Sequence, residues 1–378
     1  MWSYWEQEGL FKADLVVIGA GLTGLSAAIN YKQKRPNKRV LIIDRSPFGQ
    51  GASTKNAGFG CIGSPSELLM NLEDNSKEEV WSLVERRYRG LEKLLNRFGT
   101  KALGVNTNAG SSELLRSNDL YVLDKLDWLN SELKNVLPRE PFQLQPKESL
   151  SGRFNSEYIK REIDLQFEFP IDTGSLIKTL RREAGNFGID IWGGVSVTEV
   201  SQSPNHVNVT CKSSWTNELM QIRGVRVLNA TNAFHEHLSI KPDIKPGRGL
   251  VLCSSPLNLP VKGIYHLEKG NVYFREIDSR LMIGGGRHWF RNEEETSQEG
   301  INKSIERGLI EITDKLFPEL KFDWEYKWSG IMAFREGLEP QCDWISKSIL
   351  NAVGLNGMGV AFSWQFGSEI AEKLLHEQ

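Results

Sequence analysis

The chain has 378 residues, of which 39% are hydrophobic, and its formal net charge is −2. This length supports two domains with sizeable cores, and the balanced charge excludes a basic nucleic-acid surface or a long charged tail. The four cysteines, Cys61, Cys211, Cys253 and Cys342, form no C-x-x-C pair, which favours a reduced intracellular setting. No apolar run is long enough to span a bilayer, so we expect a cytoplasmic protein without membrane partners.

A strand, a glycine-rich turn and a helix come first along the chain. Residues 15–18 are a short apolar run that is typical of a strand buried on both faces. A G-x-G-x-x-G turn follows at Gly19, Gly21 and Gly24. These glycines permit a tight turn, a close approach of the backbone to a pyrophosphate and tight packing of the next helix. That helix, predicted over Leu22–Lys34, directs its free N–H groups at the phosphates.

A second apolar strand, residues 40–43, ends at Asp44, roughly twenty residues after the last glycine. A carboxylate at this point can accept hydrogen bonds from ribose hydroxyls. The following residues, 45–60, contain the small and hydroxyl-rich segment GASTKNAG. We expect this segment to follow a flat ligand closely, with a flexible surface loop as the alternative. A strand–helix–strand unit whose glycines serve only turn formation and packing is the alternative for the whole region.

The middle of the chain alternates between helical and extended patterns. Helical spacing predicts helices over residues 77–98, 112–137 and 173–186, and residues 103–110 look extended. A third parallel-type strand is predicted at residues 189–192, followed by antiparallel strands at 195–200 and 206–211. The strand at residues 221–229 ends in the small-residue run NATNA, which suits the carboxyl edge of a doubly wound sheet.

The last part of the chain differs in character. Residues 243–289 are strand-rich and predict an antiparallel sheet, and residues 297–316 predict a helix. The final strand is predicted at Ile349–Val353, followed by GLNGMGVA and a helix that runs to residue 376. A second glycine-rich turn between a strand and a helix can close over a cofactor that the first turn binds.

Read together, GAGLTGL, Asp44, GASTKNAG and GLNGMGVA resemble the flavin-dependent D-amino-acid oxidase, glycine oxidase and sarcosine oxidase family over nearly the whole chain. The resemblance implies an α/β fold with a discontinuous Rossmann-like FAD-binding domain. It also implies an α+β substrate domain, whose antiparallel sheet roofs the flavin. We expect the FAD-binding domain to comprise residues 1–101, 163–233 and 335–378, and the substrate domain residues 102–162 and 234–334.

The resemblance also implies which residues meet the cofactor, from the pyrophosphate turn through the ribose acid to the flavin ring. These are Gly19, Gly21, Gly24, Asp44, Arg45, Ala52, Ser53, Thr54, Asn56, Ala57, Gly58, Val197, Ala230, Thr231, Gly330, Asn356, Gly357, Met358, Gly359 and Val360. Some relatives attach the flavin through a His or Cys. The GASTKNAG segment has no His and Cys342 lies well past Gly330, so we expect non-covalent FAD.

The substrate is less well defined by the resemblance. Amino-acid-specific members place a carboxylate-binding arginine shortly after the glycine equivalent to Gly330, and Met332 stands near that place here. A guanidinium binds a carboxylate bidentately and a methionine cannot. Either Arg335 reaches the substrate, or the substrate is an amine without an α-carboxylate. The other candidates for the substrate site are Tyr273, Arg275, Arg287 and His288, each of which can instead have a structural role.

The reaction implied is oxidation of a C–N bond in a small-molecule amine or amino acid. Hydride passes from the α C–H of a neutral amine to the flavin, and the resulting imine is hydrolysed by water. A nicotinamide-dependent dehydrogenase and a non-catalytic FAD-holding subunit are the alternatives. The run His235-Glu236-His237 has metal-like spacing, but it lacks further ligands and favours a solvated helix start, so we expect no metal. The protein is expected to be a monomer or homodimer.

Overall fold

The computed structural model describes residues 1–235 and 243–376. The chain forms two compact units. The first comprises Met1–Thr54, Gly174–Pro246 and Met332–Gln378, and the second comprises Lys55–Thr173 and Gly247–Ile331. Residues 55–101, which the sequence places in the FAD-binding domain, thus belong to the second unit. The division of function between the two domains stays a prediction.

The described residues form both α-helices and β-strands. The helices are α1 (Leu22–Lys34), α2 (Ala52–Lys55), α3 (Pro65–Asp74), α4 (Lys77–Leu103), α5 (Leu126–Leu133), α6 (Thr173–Asn186), α7 (Lys303–Leu316) and α8 (Gly359–His376). The strands are β1 (Lys12–Ile18), β2 (Val40–Asp44), β3 (Phe59–Gly60), β4 (Ser111–Leu115), β5 (Phe142–Leu144), β6 (Arg161–Leu165), β7 (Phe169–Pro170), β8 (Asp190–Gly193), β9 (Val195–Gln202), β10 (Val207–Ser213), β11 (Leu219–Asn229), β12 (Lys245–Ser254), β13 (Ile264–Leu267), β14 (Val272–Ile277), β15 (Arg280–Gly285), β16 (Trp324–Phe334), β17 (Gln341–Ser346) and β18 (Ile349–Val353). In the part of the chain that the structure describes, none of the helices combines the length and apolarity needed to cross a bilayer.

The first unit is built on a mainly parallel sheet in the order β17-β18-β11-β1-β2-β8. The central strand β1 pairs in parallel with β2 and β11, and β18 extends the parallel set beyond β11. Leu15, Val16 and Val17 are fully buried, as expected for a parallel strand covered on both faces. Helices α1 and α8 pack so closely that a Cβ on Gly367 would lie 2.5 Å from the Cβ of Ser26. The predicted Rossmann-like architecture is confirmed.

The second unit contains a predominantly antiparallel sheet in the order β16-β12-β15-β14-β13-β4-β6-β5. Strands β13 and β4 form its one parallel pairing among those described. Its core includes Phe274 and Ile283 from the sheet and Leu309 from α7. Helix α7 begins where the Asn302 carboxamide oxygen accepts hydrogen bonds from the amides of Ser304 and Ile305. The predicted antiparallel sheet is therefore present.

The helix predicted over residues 112–137 is wrong. Residues Ser111–Leu115 form β4, residues Ser117–Lys125 form a 3₁₀ helix, and only Leu126–Leu133 form an α-helix. Every residue of β4 is buried, and the strand pairs with β13 and β6. Pairing with strands distant in sequence overrides the local helical periodicity, which carries no information about them.

Candidate functional site

The turn between β1 and α1 leaves no room for side chains. Gly19 has a φ of 109°, and a Cβ there would lie 2.6 Å from the carbonyl oxygen of Ala230. A Cβ on Gly24 would lie 2.0 Å from the carbonyl oxygen of Gly19. Only glycine fits at these two positions. The turn also lies directly against Ala230, one of the residues expected to line the cofactor.

Ser53 joins the GASTKNAG segment to this turn. Its hydroxyl accepts a hydrogen bond of 3.0 Å from the amide of Leu22 at the start of α1. A Cβ on Gly21 would lie 2.9 Å from the same oxygen. Ala52, Ser53 and Thr54 belong to the short helix α2. Three predicted cofactor residues are therefore held beside the glycine turn within the first unit.

Asp44 lies at the end of β2 with both carboxylate oxygens engaged. Oδ2 accepts a hydrogen bond from the amide of Ala20 at 2.7 Å, and Oδ1 accepts one from the amide of Ser46 at 2.8 Å. Burial raises the pKa of Asp44, and these two hydrogen bonds oppose the rise. Each oxygen keeps a lone pair for a hydroxyl group. The neighbouring Arg45 stacks its guanidinium 3.6 Å from the ring centroid of Phe234.

Two buried asparagines organise the carboxyl ends of β11 and β18. The carboxamide oxygen of Asn229 accepts hydrogen bonds from the amide of Thr231 at 3.2 Å and from its hydroxyl at 2.8 Å. Its nitrogen donates to the side-chain oxygen of Asn351 at 2.7 Å. The pair orients Ala230 and Thr231 and was not predicted as a site feature. The only signal in the sequence is that Asn229 begins the small-residue run. Val197 lies apart from this pair, in β9.

The C-terminal glycine turn is braced by the segment that follows β16. Asn356 has a φ of 49°. Its side-chain oxygen accepts a hydrogen bond from the amide of Arg335, and its nitrogen donates to the carbonyl oxygen of Gly337. Helix α8 starts three residues later at Gly359. Residues 356–360, all predicted to meet the cofactor, thus form one turn and the first residues of a helix.

Met332 and Arg335 have different surroundings in the first unit. A Cβ on Gly357 would lie 3.5 Å from the sulfur of Met332. Nη1 of Arg335 donates a 3.1 Å hydrogen bond to the carbonyl oxygen of Glu339 in its own loop. The methylene groups of Arg335 pack against Gly354. The groups of this segment placed against Gly357 are therefore a thioether and, at 4.0 Å, the ring of Phe334, and not a cation.

In the second unit, Arg275 holds the end of the GASTKNAG segment. Its Nη1 donates to the carbonyl oxygens of Ala57 at 3.1 Å, Gly58 at 2.8 Å and Ile171 at 2.9 Å. The side chain is 6% exposed. Burial lowers the pKa of Arg275 to about 10, so the guanidinium stays charged at neutral pH. The sequence offers Arg275 as a substrate-site candidate, whereas its contacts are to backbone.

Further contacts fix the same segment from other sides. The side-chain oxygen of Asn56 accepts hydrogen bonds from the amide of Gly58 and the hydroxyl of Thr173. The indole nitrogen of Trp328 donates to the carbonyl oxygen of Lys55 at 2.9 Å. A Cβ on Gly330 would lie 3.1 Å from the Cβ of Lys55. Gly330 is thus a packing partner of this segment, two residues before Met332.

The remaining substrate-site candidates have separate neighbours. The ring of Tyr273 lies 5.2 Å from that of Phe59, edge to face, and burial raises the pKa of Tyr273 to about 12. His288 pairs its Nε2 with the carboxylate of Glu268 at 3.0 Å. Arg287 begins a short 3₁₀ helix, and burial lowers its pKa, with the nearby charge of Arg291 acting in the same direction. Their roles toward a substrate stay predictions.

A buried carboxylate–imidazole pair in the second unit was missed by sequence reasoning. Glu168 accepts hydrogen bonds from the amides of Ile62 and Gly63 and from the hydroxyl of Ser111, and its Oε2 lies 2.9 Å from Nε2 of His266. Burial alone would raise the pKa of Glu168, but the charge of His266 and these hydrogen bonds outweigh it and lower the pKa. The same pairing outweighs burial and raises the pKa of His266.

Glu113 lies opposite His266 in the pairing of β4 with β13, and its hydrogen-bond partners in the described part of the chain are serines. Its carboxylate accepts hydrogen bonds from the hydroxyls of Ser64 and Ser66. Burial raises the pKa of Glu113 to about 7, although these hydrogen bonds and the charge of His266 act against the rise. Its side chain points inward from β4, the strand predicted as helix, so no sequence signal marked it.

Within residues 1–235 and 243–376, no group of three or more His, Cys, Asp or Glu side chains could hold a metal ion. Glu236 and His237, two members of the metal-like run, lie outside the described residues.

The chain is similar to known proteins over almost its full length. A family model described as FAD dependent oxidoreductase matches residues 14–373. The probable oxidoreductase OrdL of Haemophilus influenzae is 23% identical, with 96% of this chain and 83% of the relative covered. A second probable oxidoreductase OrdL, from Rhizobium meliloti, is 24% identical, with 97% and 84% covered.

Solved structures show the same fold at lower identity. L-proline dehydrogenase from P. horikoshii superposes with a TM-score of 0.75 at 16% identity, covering 96% of this chain and 93% of that one. Glycine oxidase from Geobacillus kaustophilus gives 0.74 at 18% identity, with 96% and 95% covered. L-amino acid deaminase from Proteus vulgaris gives 0.74 at 15% identity, with 97% and 94% covered.

Proposed function

Because this chain belongs to the family of FAD dependent oxidoreductases, we propose that it binds FAD non-covalently and oxidises a C–N bond in an amine or amino acid. The family assignment removes the nicotinamide-dependent alternative. The crowded glycine turn and the oriented carboxylate of Asp44 fit the cofactor, since the backbone can approach a pyrophosphate and the acid can accept from a ribose.

Two observations support a dissociable cofactor. The segment from Ala52 to Gly58 contains neither His nor Cys. Cys61, the cysteine nearest to it in sequence, is buried, and burial raises the pKa of its thiol well above the usual range. A buried neutral thiol is a poor nucleophile.

The substrate that we favour is an amine without an α-carboxylate at the position where relatives place their arginine. The single observation that carries this proposal is the Met332 sulfur against Gly357, while the Arg335 guanidinium donates to Glu339. A thioether offers contact surface to an alkyl chain and no donor to a carboxylate. The structural neighbours named for glycine, proline and amino acids keep an amino-acid substrate as the second candidate.

The chemistry divides simply between cofactor and protein. FAD, when bound, supplies the acceptor for the two electrons and hydrogen of the C–H bond next to nitrogen. The glycine turn would bind phosphate through its backbone N–H groups. Within the second unit, Arg275 and Trp328 fix the conformation of the segment that the family resemblance assigns to the flavin ring. Tyr273 stays a neutral phenol at physiological pH, so it can donate a hydrogen bond without introducing charge.

An anaerobic screen of the reconstituted enzyme tests the proposal, with bleaching of the flavin absorbance as the readout. The substrates are matched pairs that differ only in an α-carboxylate, such as ethylamine and alanine. We expect the amine of each pair to bleach the flavin and the amino acid to leave it oxidised. Met332→Arg should shift the preference toward the carboxylate member, and Met332→Leu should not. If only carboxylate compounds bleach the flavin and Arg335→Ala abolishes this bleaching, Arg335 binds the substrate carboxylate and the proposed amine substrate is wrong. Colourless protein that refuses FAD would contradict the proposed function itself.

A further inference from the structure

Arg275 concentrates an unusual set of hydrogen bonds on one atom. All three of its hydrogen bonds originate from Nη1, and all three acceptors are backbone carbonyl oxygens, those of Ala57, Gly58 and Ile171. These acceptors lie 104 to 218 positions away in the sequence. A single buried nitrogen therefore ties strand β14 to two separate stretches of backbone.

Among the residues that the structure describes, no carboxylate is hydrogen-bonded to the guanidinium of Arg275. Its described partners are carbonyl oxygens, and the acids that act on it do so through the electrostatic field alone, namely Asp172, Glu276 and Asp278. Nε of the guanidinium is buried without a hydrogen-bond partner within residues 1–235 and 243–376, and low-dielectric surroundings screen a buried charge weakly. Arg275 therefore places a weakly screened positive charge against the carbonyl oxygens of Ala57 and Gly58.

That segment has little freedom to change shape. Gly58 has a φ of 73°, and a Cβ there would lie 2.2 Å from the carbonyl oxygen of Ile171 and 2.5 Å from Nη1 of Arg275. The amide of Ile171 donates back to the carbonyl oxygen of Gly58 at 2.9 Å. Gly58, Ile171 and Arg275 are therefore in mutual contact, and these contacts fix the backbone conformation at residues 57–58.

We propose that Arg275 is a positioning residue that presets residues 57–58 for FAD before the cofactor binds, and whose positive charge favours the reduced cofactor over the oxidised one. The second part rests on the proposed function. Reduction places negative charge on the flavin ring, and a fixed cation beside the segment that orients the ring stabilises that charge. The sequence offers Arg275 only as a substrate-site candidate or an outward-facing strand residue.

Three full-length variants separate the parts of the proposal. Arg275→Met removes the N–H donors and also the positive charge. Arg275→Lys keeps the charge and offers three N–H donors on one nitrogen, one more than Nη1 carries. Arg280→Met is the matched control, because Arg280 lies in the adjoining strand β15 and donates to Ser254 and the exposed Glu325. FAD dissociation constants and flavin midpoint potentials are measured for each, together with the melting temperature of the apoprotein.

For Arg275→Met we expect about tenfold weaker binding of oxidised FAD. We also expect a further tenfold loss of preference for reduced FAD, equal to a midpoint potential about 30 mV more negative for a two-electron couple. Arg275→Lys should restore the potential to near that of the wild type, and Arg280→Met should change neither quantity. A wild-type potential and dissociation constant in Arg275→Met would overturn the proposal. A potential lowered equally in Arg275→Lys would show that charge is not the cause.

Hydrogen exchange on the wild-type apoprotein tests the preset conformation without any variant, and so decides the case if Arg275→Met fails to fold. The amide of Ile171 should be protected equally with and without FAD, because its acceptor is already in place. Rapid exchange that slows only on adding FAD would overturn the preset. If the wild type binds no FAD at all, the proposed function fails, while this measurement on the apoprotein still reports on the hydrogen bond from Ile171 to Gly58, the residue that Arg275 contacts.

Discussion

In the first compact unit, the buried polar side chains of the described residues are all neutral. They are Thr23, Ser26, Asn30, Ser46, Thr179, Ser213, Asn229, Asn351 and Ser363. In the second unit, buried serines and threonine are joined by titratable and charged groups. These are Arg87, Glu113, Glu162, Glu168, His266, Arg275, Glu294 and Glu306.

Most of the buried charges in the second unit are neutralised by a direct partner. Ion pairs join Glu162 to Arg153, Glu168 to His266, Glu294 to Arg248, Glu306 to Lys303 and Lys327, and Arg87 to Glu67. Arg275 and Glu113 are the exceptions among them, since their described hydrogen bonds go to neutral groups. Burying charge costs several kcal/mol unless it is paired. Close backbone packing around glycines occurs in both units, so what distinguishes the second unit is the buried charge among its described residues.

The largest effect is expected from a substitution that disrupts the close backbone packing of the glycine turn in the first unit. Gly24→Ala places a methyl group where the Gly19 carbonyl oxygen is 2.0 Å away, an overlap worth about 3 kcal/mol. We expect FAD binding to weaken about 100-fold, measured by fluorescence titration of the apoprotein. Gly185→Ala is the matched control, because this helical glycine has no atom near its Cβ position and alanine there should be neutral or stabilising. Unchanged FAD affinity in Gly24→Ala would refute the close-fit account.

The next effect tests the paired charge of the second unit. Glu168→Gln leaves His266 without its anion and is expected to lower the free energy of unfolding by about 3 kcal/mol. Urea denaturation of the full chain measures the change. Glu85→Gln serves as control, because the Glu85–Arg89 pair is exposed and should contribute less than about 0.5 kcal/mol. Equal losses in both variants would show that burial of the pair has no special weight.

Glu113 makes the contribution of buried charge to stability depend on pH. Its pKa is raised in the folded state to about 7 from 4.5, so the unfolded chain releases this proton first as pH rises. Glu113 therefore reduces stability progressively between about pH 4.5 and 7, and the reduction is constant above that range. Glu113→Gln should match the wild type near pH 4.5 and exceed its stability at pH 8 by on the order of 3 kcal/mol, given about 1.4 kcal/mol per pKa unit.

Comparing the two proteins at each pH removes the contributions of groups that Glu113 does not influence, whereas the charge of Glu113 also raises the pKa of His266, so the difference includes this coupling. Thermal unfolding at pH 5, 6, 7 and 8 provides the measurement. A stability difference that does not change with pH would mean that Glu113 ionises normally in the folded state.

The smallest effects are expected at Lys55, where a hydrogen bond to the backbone carbonyl oxygen can be compared with an exposed ion pair of the side chain. Trp328→Phe removes the indole hydrogen bond to the Lys55 carbonyl oxygen and should cost about 1 kcal/mol. Glu299→Gln removes the ion pair of the Lys55 side chain, whose partner carboxylate is 60% exposed, and should cost less than about 0.5 kcal/mol. Urea midpoints show which variant loses more stability. A larger loss in Glu299→Gln than in Trp328→Phe would contradict the importance assigned to the backbone contact.

The first strand–helix–strand unit was predicted almost residue by residue. Helix α1 spans Leu22–Lys34 in both prediction and structure, and Ile349–Val353 is likewise the last strand in both. In each case the signal lies within about twenty residues of sequence: an apolar run, glycines at a required spacing, and a helix start. The helix predicted over residues 112–137 failed for the opposite reason, since β4 is defined by partners 50 to 150 residues away.

By itself, the sequence determined where the chain turns tightly and which acid follows, because the steric limit on Gly24 comes from Gly19, a near neighbour in the chain. It also determined the α/β class and the family. Only the tertiary structure decided what Arg275, Glu168 and Met332 touch. Their partners are residues distant in sequence whose positions exist only once the sheets have formed, and buried charge acquires its energetic weight only when solvent is excluded around it.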